Sequence, residues 1–516
     1  MKRSMWTGAA MAAAVALVMS GCQFLPLPTK EHTPEPEVTE SEEQSQFWGA
    51  EDAAVYDQEL DWTTCGEFQC AEAQVPLSWD DPDGPTITLA LKRAKAQDRK
   101  NRVGSLLINP GGPGGSGVDL VEYFTTIAGQ DLLDAYDVVG FDPRGVGQST
   151  PVECGTPADV DAFLITDEPT ITIQEDLDAV REASAAFARL CHDTSGDLME
   201  NVDTTSAARD MDVLRSILGD ESLHYLGFSY GTQLGATYAE LFPGRVGRVV
   251  LDGAVDFLIP GEEQSLQQAG GFEQALTAFI EWCHTQSDCT LDGNTEEARA
   301  EIAAIAQNAR DYTYPTSWGG VVNGNLMAYG IIVTLYDEGS WPYLSLALAE
   351  VQTQQTADIA YELANIYLDR DSVTGEYTTN SSVAFPAIGC LDGGGEEWTL
   401  EQQLDYAARA NQVAPTLGWW FGGAGSCVGW PWASAHPVTS LDTAKEQAAP
   451  MLVIGTTGDP ATPFAWAESL ADALGATLLT YNGEGHTAYG RSNQCVVDVV
   501  DAYLVDGVLP DAGTTC

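Results

Sequence analysis

Hydrophobic positions along this chain follow two rhythms. Residues 86–91 alternate apolar and polar, as a strand with one buried face does. Residues 103–108 and 136–141 are short, continuous, β-rich apolar runs that stop at Gly/Pro turns, and 223–228 and 246–251 repeat the theme. Between them the apolar spacing becomes helical, predicting helices at about 174–191, 205–218 and 231–242. Fully apolar strands alternating with amphipathic helices predict an α/β fold with a mostly parallel sheet covered by helices on both faces.

The alternation breaks after Asp252. From 257 to 446 the apolar positions keep helical spacing, most clearly over 272–282 and 343–368. An insertion of roughly 190 residues between two sheet strands has the length of a domain and predicts a large, mainly helical cap. The strand–helix rhythm resumes at 450–455, with a helix from about Phe464, a strand at 477–481 and a last helix over 495–505. The core is therefore expected in two parts, 47–256 and 447–516, with the cap at 257–446 between them.

The first residues differ in kind. Lys2 and Arg3 precede an apolar stretch from Gly8 to Met19 that is short for a membrane span, which reads as an export signal over 1–21. Met19-Ser20-Gly21-Cys22 resembles a bacterial lipobox, with Cys22 as the lipidated residue and Met19 where Leu is more usual. Residues 22–46 are polar, acidic and Pro-bearing, as expected of a disordered tether, with ordered structure starting near Phe47 and Trp48.

Composition sharpens this picture. The formal net charge is −54, and loss of the leader would remove Lys2 and Arg3 but no acidic group. Such a surface repels nucleic acid and anionic lipid headgroups, so membrane contact is expected only through the N-terminal lipid. The expected state is a monomer. Of the 11 Cys, all but Cys22 cluster pairwise, which predicts five disulfides in an oxidising compartment. Sequence alone leaves connectivity open; neighbour pairing gives Cys65–Cys70, Cys154–Cys191, Cys283–Cys289, Cys390–Cys427 and Cys495–Cys516. No tight Cys pair is answered by a second one or by a His pair, so no metal site is expected, and no cofactor.

The chemistry concentrates at Gly227-Phe228-Ser229-Tyr230-Gly231, a G-x-S-x-G between an apolar strand and a helix. That context makes a nucleophile elbow with Ser229 as nucleophile, the flanking glycines leaving room at the sharp turn. Asn109-Pro110-Gly111-Gly112-Pro113-Gly114-Gly115-Ser116-Gly117 follows the 103–108 strand and predicts a glycine-rich oxyanion loop. Its donors would be the backbone N–H groups of Gly112 and of Tyr230. A phosphate loop is disfavoured, because no Gly-Lys-Ser/Thr follows and Asp119 stands where a cation would be wanted. Asp142-Pro143-Arg144-Gly145-Val146-Gly147-Gln148-Ser149 is expected under that loop, with Asp142 and Arg144 as a structural ion pair.

The triad order in this fold is Ser, acid, His. His486, in Gly485-His486-Thr487 after a strand, fits the base, whereas His436 lies among Trp430, Pro431 and Trp432. Asp459, after the 451–454 strand, is the natural acid to orient it.

Together, Pro110-Gly111-Gly112-Pro113-Gly114, 227–235, Gly458-Asp459-Pro460-Ala461-Thr462-Pro463 and Gly485-His486-Thr487 resemble the secreted tripeptidyl aminopeptidases of actinobacteria, within the proline-iminopeptidase-like serine peptidases. Ala387-Ile388-Gly389-Cys390-Leu391-Asp392 and the C-terminal segment 491–516 extend the likeness, which runs from about Trp62 to the end. The resemblance implies release of short peptides, typically tripeptides, from free N-termini. It also implies that Thr462 lines the site, as a substrate-binding residue. Pro110 stands where proline iminopeptidases often carry His.

An aminopeptidase needs a carboxylate for the substrate ammonium. Asp392 is the choice here, with Glu262, Glu263, Glu396 and Glu397 as other cap carboxylates. Two alternatives remain open: a carboxylesterase or lipase using the same triad, and an inactive lipid-anchored binding protein. The intact Ser229, Asp459 and His486 set speaks against the second.

Overall fold

The computed structural model describes residues 54–167, 169–393, 398–423, 425 and 427–516. The signal, Cys22, the tether, Phe47, Trp48, Glu396 and Glu397 lie outside the described residues.

Nine strands form one sheet: β1 (Thr63–Cys65), β2 (Phe68–Pro76), β3 (Thr86–Ala94), β4 (Gly104–Asn109), β5 (Tyr136–Phe141), β6 (Leu223–Phe228), β7 (Val246–Asp252), β10 (Leu452–Gly458) and β11 (Thr477–Glu484). A short hairpin of β8 (Tyr314–Pro315) and β9 (Val321–Val322) stands apart. The order across the large sheet is β1-β2-β3-β5-β4-β6-β7-β10-β11, antiparallel up to the β3–β5 pair and parallel from β5 onward. This is the α/β-hydrolase architecture.

The continuous apolar runs are explained by burial on both faces. Leu106, Ile108, Val138, Leu226, Phe228, Val250, Leu452 and Ile454 enter one core. Their neighbours Leu107, Val139, Phe141, Tyr225, Val249, Leu251 and Val453 enter the other. The strand period of two thus splits each run between two hydrophobic layers. Strands β1 and β2 are absent from the sequence expectation. Along β2 the alternating buried positions are Ala71, Ala73 and Val75, before a buried Pro76 at its end, so the alternation is carried mostly by alanine, a weak signal.

Between β7 and β10 the chain is mainly helical, with helices Gly261–Cys283, Thr295–Tyr312, Gly324–Leu335, Trp341–Gln354, Asp358–Tyr367, Ser381–Gly393 and Leu400–Val413. The first four share their core with one sheet face, through Phe272, Phe279, Ile302, Ile332 and Leu348. Helix Ser381–Gly393 packs into the other layer through Val383, Ala384, Ala387 and Leu391. Five disulfides join Cys65–Cys70, Cys154–Cys191, Cys283–Cys289, Cys390–Cys427 and Cys495–Cys516. Cys390–Cys427 ties helix Ser381–Gly393 to the segment after the last long cap helix.

Arg144 and Asp142 do not pair with each other, contrary to the sequence expectation. Arg144 is fully buried and makes a two-point ion pair with Asp210, at 2.7 Å from Nε and 2.6 Å from Nη2. Its remaining N–H groups donate to the carbonyls of Pro76, Leu77 and Asn201. Asp142 instead accepts from the Ser116 hydroxyl at 2.6 Å and from Val118 N–H at 3.0 Å, capping the helix Gly117–Ile127 that leaves the glycine-rich loop. Burial pushes the Asp142 carboxyl up and these hydrogen bonds pull it down, burial being the larger effect. Asp142 therefore fixes the far end of the loop, and Arg144 anchors a separate layer.

Candidate active site

Ser229 sits between the end of β6 and helix Tyr230–Leu241, with φ 56° and ψ −126°. A non-glycine residue in this region is strained, and here the strain turns the serine out of the sheet. The N–H of Ser229 donates to the Asp252 carbonyl at 2.9 Å, locking the turn onto the end of β7. The turn leaves no space beside it. A Cβ on Gly227 would lie 2.4 Å from the Gly231 carbonyl oxygen, so the residue two before the serine must be glycine.

The glycine-rich loop lies against this turn. Gly111 has φ 88°, and a Cβ there would fall 2.3 Å from the Phe228 carbonyl oxygen and 2.8 Å from Ser229 Cβ. Its N–H is spent on the Asn109 side chain at 2.8 Å. Among the described residues, the N–H groups of Gly112 and Tyr230 have no hydrogen-bond partner. Two open donors beside a nucleophile, one at a helix N-terminus, are what a developing oxyanion requires.

Asp459 and His486 meet across the ends of β10 and β11. His486 Nδ1 lies 2.9 Å from both carboxylate oxygens of Asp459, and both side chains are fully buried. The carboxylate also accepts from Ala461 N–H (2.9 Å), Thr462 N–H (2.8 Å), the Thr462 hydroxyl (2.9 Å) and Thr487 N–H (3.2 Å). So many donors hold it as an acceptor facing the imidazole. His486 Nε2 is buried and has no partner among the described residues, so it is not bonded to Ser229 Oγ here. Such a bond tightens when substrate is bound.

Position is enforced from several sides. His486 N–H donates to the Tyr336 carbonyl at 2.9 Å, and the Tyr336 ring stands edge-on to the imidazole at 5.5 Å. The buried carboxylate of Asp252 accepts from Ala488 N–H at 3.0 Å and Tyr489 N–H at 2.7 Å. Its pKa is pushed up to about 6, by burial first, against those backbone bonds. Asp252 thus holds Ser229 through its carbonyl and the histidine loop through its carboxylate. A Cβ on the next residue, Gly253, would lie 3.1 Å from His486 Cε1. Asp252 and Tyr336 were not singled out from the sequence: an Asp ending a strand and a Tyr ending a helix carry no motif.

The other sequence candidates are placed as follows. The Thr462 hydroxyl is buried on Asp459 and 3.2 Å from His486 Nδ1, so it positions the acid–base pair instead of forming an open wall for substrate. Both oxygens of Asp392 are taken by Thr204, from its N–H at 2.8 Å and its hydroxyl at 2.5 Å. The Thr204 hydroxyl oxygen is also 2.5 Å from Tyr230 Oη, so Asp392 is linked to the residue after the nucleophile. Burial, then the neighbouring Asp203, push the Asp392 pKa up to about 7. Glu262 and Glu263 pair with Arg409. His436 pairs with Asp80 at 3.0 Å, away from the triad. The described residues contain one group with metal-ligand spacing, His192, Asp197 and Glu200, largely exposed and remote in sequence from every strand end used here.

Comparison with known proteins agrees with this geometry. Residues 104–296 match the family model described as alpha/beta hydrolase fold, and 419–516 that of TAP-like protein. The chain is 34% identical to serine protease Hip1 of Mycobacterium tuberculosis, over 89% of this chain and 91% of that protein. It is also 34% identical to carboxylesterase B of the same species, over 90% and 91%. Identity to the tripeptidyl aminopeptidase of Streptomyces coelicolor is 31%, over 88% and 84%.

Proposed function

Because the chain belongs to the α/β-hydrolase family that contains these tripeptidyl aminopeptidases and serine protease Hip1, we propose that it is a serine exopeptidase releasing short peptides, tripeptides foremost, from free N-termini. The observation that carries this reading is the buried Asp459–His486 pair beside a strained Ser229 with two open backbone donors.

In this reading Ser229 Oγ attacks the scissile carbonyl while His486 Nε2 takes its proton. Asp459 holds the imidazole with its proton on Nδ1 and stabilises the imidazolium. The oxyanion forms between the N–H groups of Gly112 and Tyr230. His486 then gives the proton to the leaving amine, and water hydrolyses the acyl-enzyme by the same steps in reverse order. Asp392 is the proposed anchor for the substrate ammonium, which would have to displace the Thr204 hydrogen bonds that now hold both its oxygens. Mature chains are proposed to be exported, tethered through Cys22 and monomeric. Export is supported by the five disulfides, and no described helix is long and apolar enough to cross a membrane.

Esterase activity is a second reading, favoured by the equal identity to carboxylesterase B. A panel of free and N-acetylated tripeptidyl amides beside short-chain esters separates the two. Free tripeptides should be cleaved about ten- to a hundredfold better than blocked ones, the worth of a charge-assisted hydrogen bond. Equal cleavage of both, or ester hydrolysis alone, would refute the aminopeptidase reading.

A further inference from the structure

A cavity of about 350 Å³ opens between the cap and the segment 163–171, and none of Ser229, Asp459 or His486 lines it. Its size is that of a ligand pocket, and its walls combine aromatic rings with polar side chains that include Asp167 and Arg310. Tyr329, Tyr367, Phe385, Trp419, Trp420 and Phe421 supply most of the aromatic part.

Among the described residues, two of its polar atoms lack partners. Gln403 is 1% exposed; its amide N–H₂ donates to the Gly422 carbonyl at 3.0 Å, but its Oε1 is buried and unbonded. The indole N–H of Trp419 is likewise buried and unbonded. Unpaired buried polar atoms are costly and uncommon. One free acceptor and one free donor among aromatic walls complement a peptide group, which offers an N–H to Gln403 and a carbonyl to Trp419.

Two groups of lining residues lead from the cavity toward the candidate active site. Phe385 belongs to helix Ser381–Gly393, which presses on the oxyanion loop: a Cβ on Gly114 would lie 3.0 Å from the Ser381 carbonyl oxygen and 3.2 Å from Phe385 N. On the other side, Tyr367 lies beside Tyr336, whose ring stands edge-on to His486. Phe421 reaches the same Tyr336 through Phe272, with ring separations of 5.7 and 5.4 Å. A pocket of this volume takes a few side chains but not the remainder of a polypeptide. It therefore suits the acyl side of the scissile bond, where an exopeptidase holds the short piece it releases.

We propose that this cap cavity is the acyl-side subsite of the peptidase and selects an aromatic or bulky aliphatic side chain near the substrate N-terminus. The inference rests on the peptidase reading above. Its test uses the full exported protein and free-N-terminus tripeptidyl p-nitroanilides, with Phe replacing Ala at each of the three positions in turn. Burying a Phe side chain should raise kcat/KM at one position by about 10- to 100-fold over the all-alanine substrate. Ala407→Trp, which fills the cavity from its wall, should bring that ratio toward unity. Trp419→Phe keeps a ring but deletes the N–H, and should lower kcat/KM for the favoured substrate by about tenfold. Labelling of Ser229 by a small fluorophosphonate reports whether each variant is folded.

Ratios near unity at all three positions in the wild type would overturn the proposal while leaving a peptidase. So would an undiminished preference in labelled Ala407→Trp, or full activity of Trp419→Phe on the favoured substrate if Ala407→Trp fails to fold. Hydrolysis of esters with no tripeptidyl amide cleaved would instead overturn the peptidase reading, and the subsite with it.

Discussion

Asp459→Asn tests the acid at the atomic level, because the surroundings dictate how the amide must sit. Asp459 Oδ1 accepts from the N–H groups of Ala461 and Thr462, both in a tight backbone turn that cannot rotate away. An amide N–H₂ in that place would face two donors, so the amide oxygen must stay there. The N–H₂ then occupies the Oδ2 position, where it faces the Thr462 hydroxyl, Thr487 N–H and His486 Nδ1. An N–H₂ donating to Nδ1 forces the ring proton onto Nε2, the atom that should accept the serine proton. In a comparable triad the wrong tautomer costs about 10⁴-fold in kcat, or about 5 kcal/mol of barrier. The clash with Thr487 N–H adds a stability cost of about 1–3 kcal/mol. Steady-state hydrolysis of a tripeptidyl p-nitroanilide measures the first effect and urea unfolding the second. A kcat within about tenfold of wild type would refute the assignment of Asp459, since no tautomer change could then have occurred.

Four further outcomes are expected. Ser229→Ala should abolish turnover and fluorophosphonate labelling while leaving the unfolding midpoint within the usual surface-mutant range; equal labelling of wild type and variant would point to another nucleophile. His486→Ala should reduce kcat by several orders of magnitude and His436→Ala should not, because His436 is engaged with Asp80 on the surface; the reverse pattern in a rate assay would reassign the base. Asp210→Ala leaves the buried Arg144 charge facing only carbonyls and should cost about 3–5 kcal/mol in urea unfolding; a loss below about 1 kcal/mol would contradict the buried pairing. The Asp392 carboxyl is raised from 3.8 to about 7 in the folded state, so folding holds its proton more tightly. Its contribution to stability is full below about pH 4, falls as pH rises toward 7 and is flat above. The stability of wild type relative to Asp392→Asn should therefore fall across that window when Tm is followed against pH, and a constant difference would exclude the raised pKa.

Much of the fold and the chemical core of the site is legible in the residue order, because both rest on local signals. Strands β4, β5, β6, β7 and β10 announce themselves as apolar runs, since a sheet buried on both faces needs every position apolar. The elbow at Ser229 and the loop at 109–117 declare themselves through glycine, since a Cβ there would strike backbone within the same turn or the adjoining one. The order Ser229, Asp459, His486 follows from which strand ends carry an acid and a histidine. Tertiary structure decided what depends on partners far apart in the chain. Arg144 takes Asp210, 66 residues away, over nearby Asp142 because the strand and helix layers deliver that carboxylate into a buried slot beside three carbonyls. The Thr462 hydroxyl is committed to Asp459, and Asp392 is buried, which raises its pKa, while its oxygens are committed to Thr204, 188 residues distant. The cap cavity is likewise made by side chains from separate helices around a void. A void has no sequence signature: hydrophobic spacing states which face of each helix is buried, and only packing decides where the buried faces fail to meet.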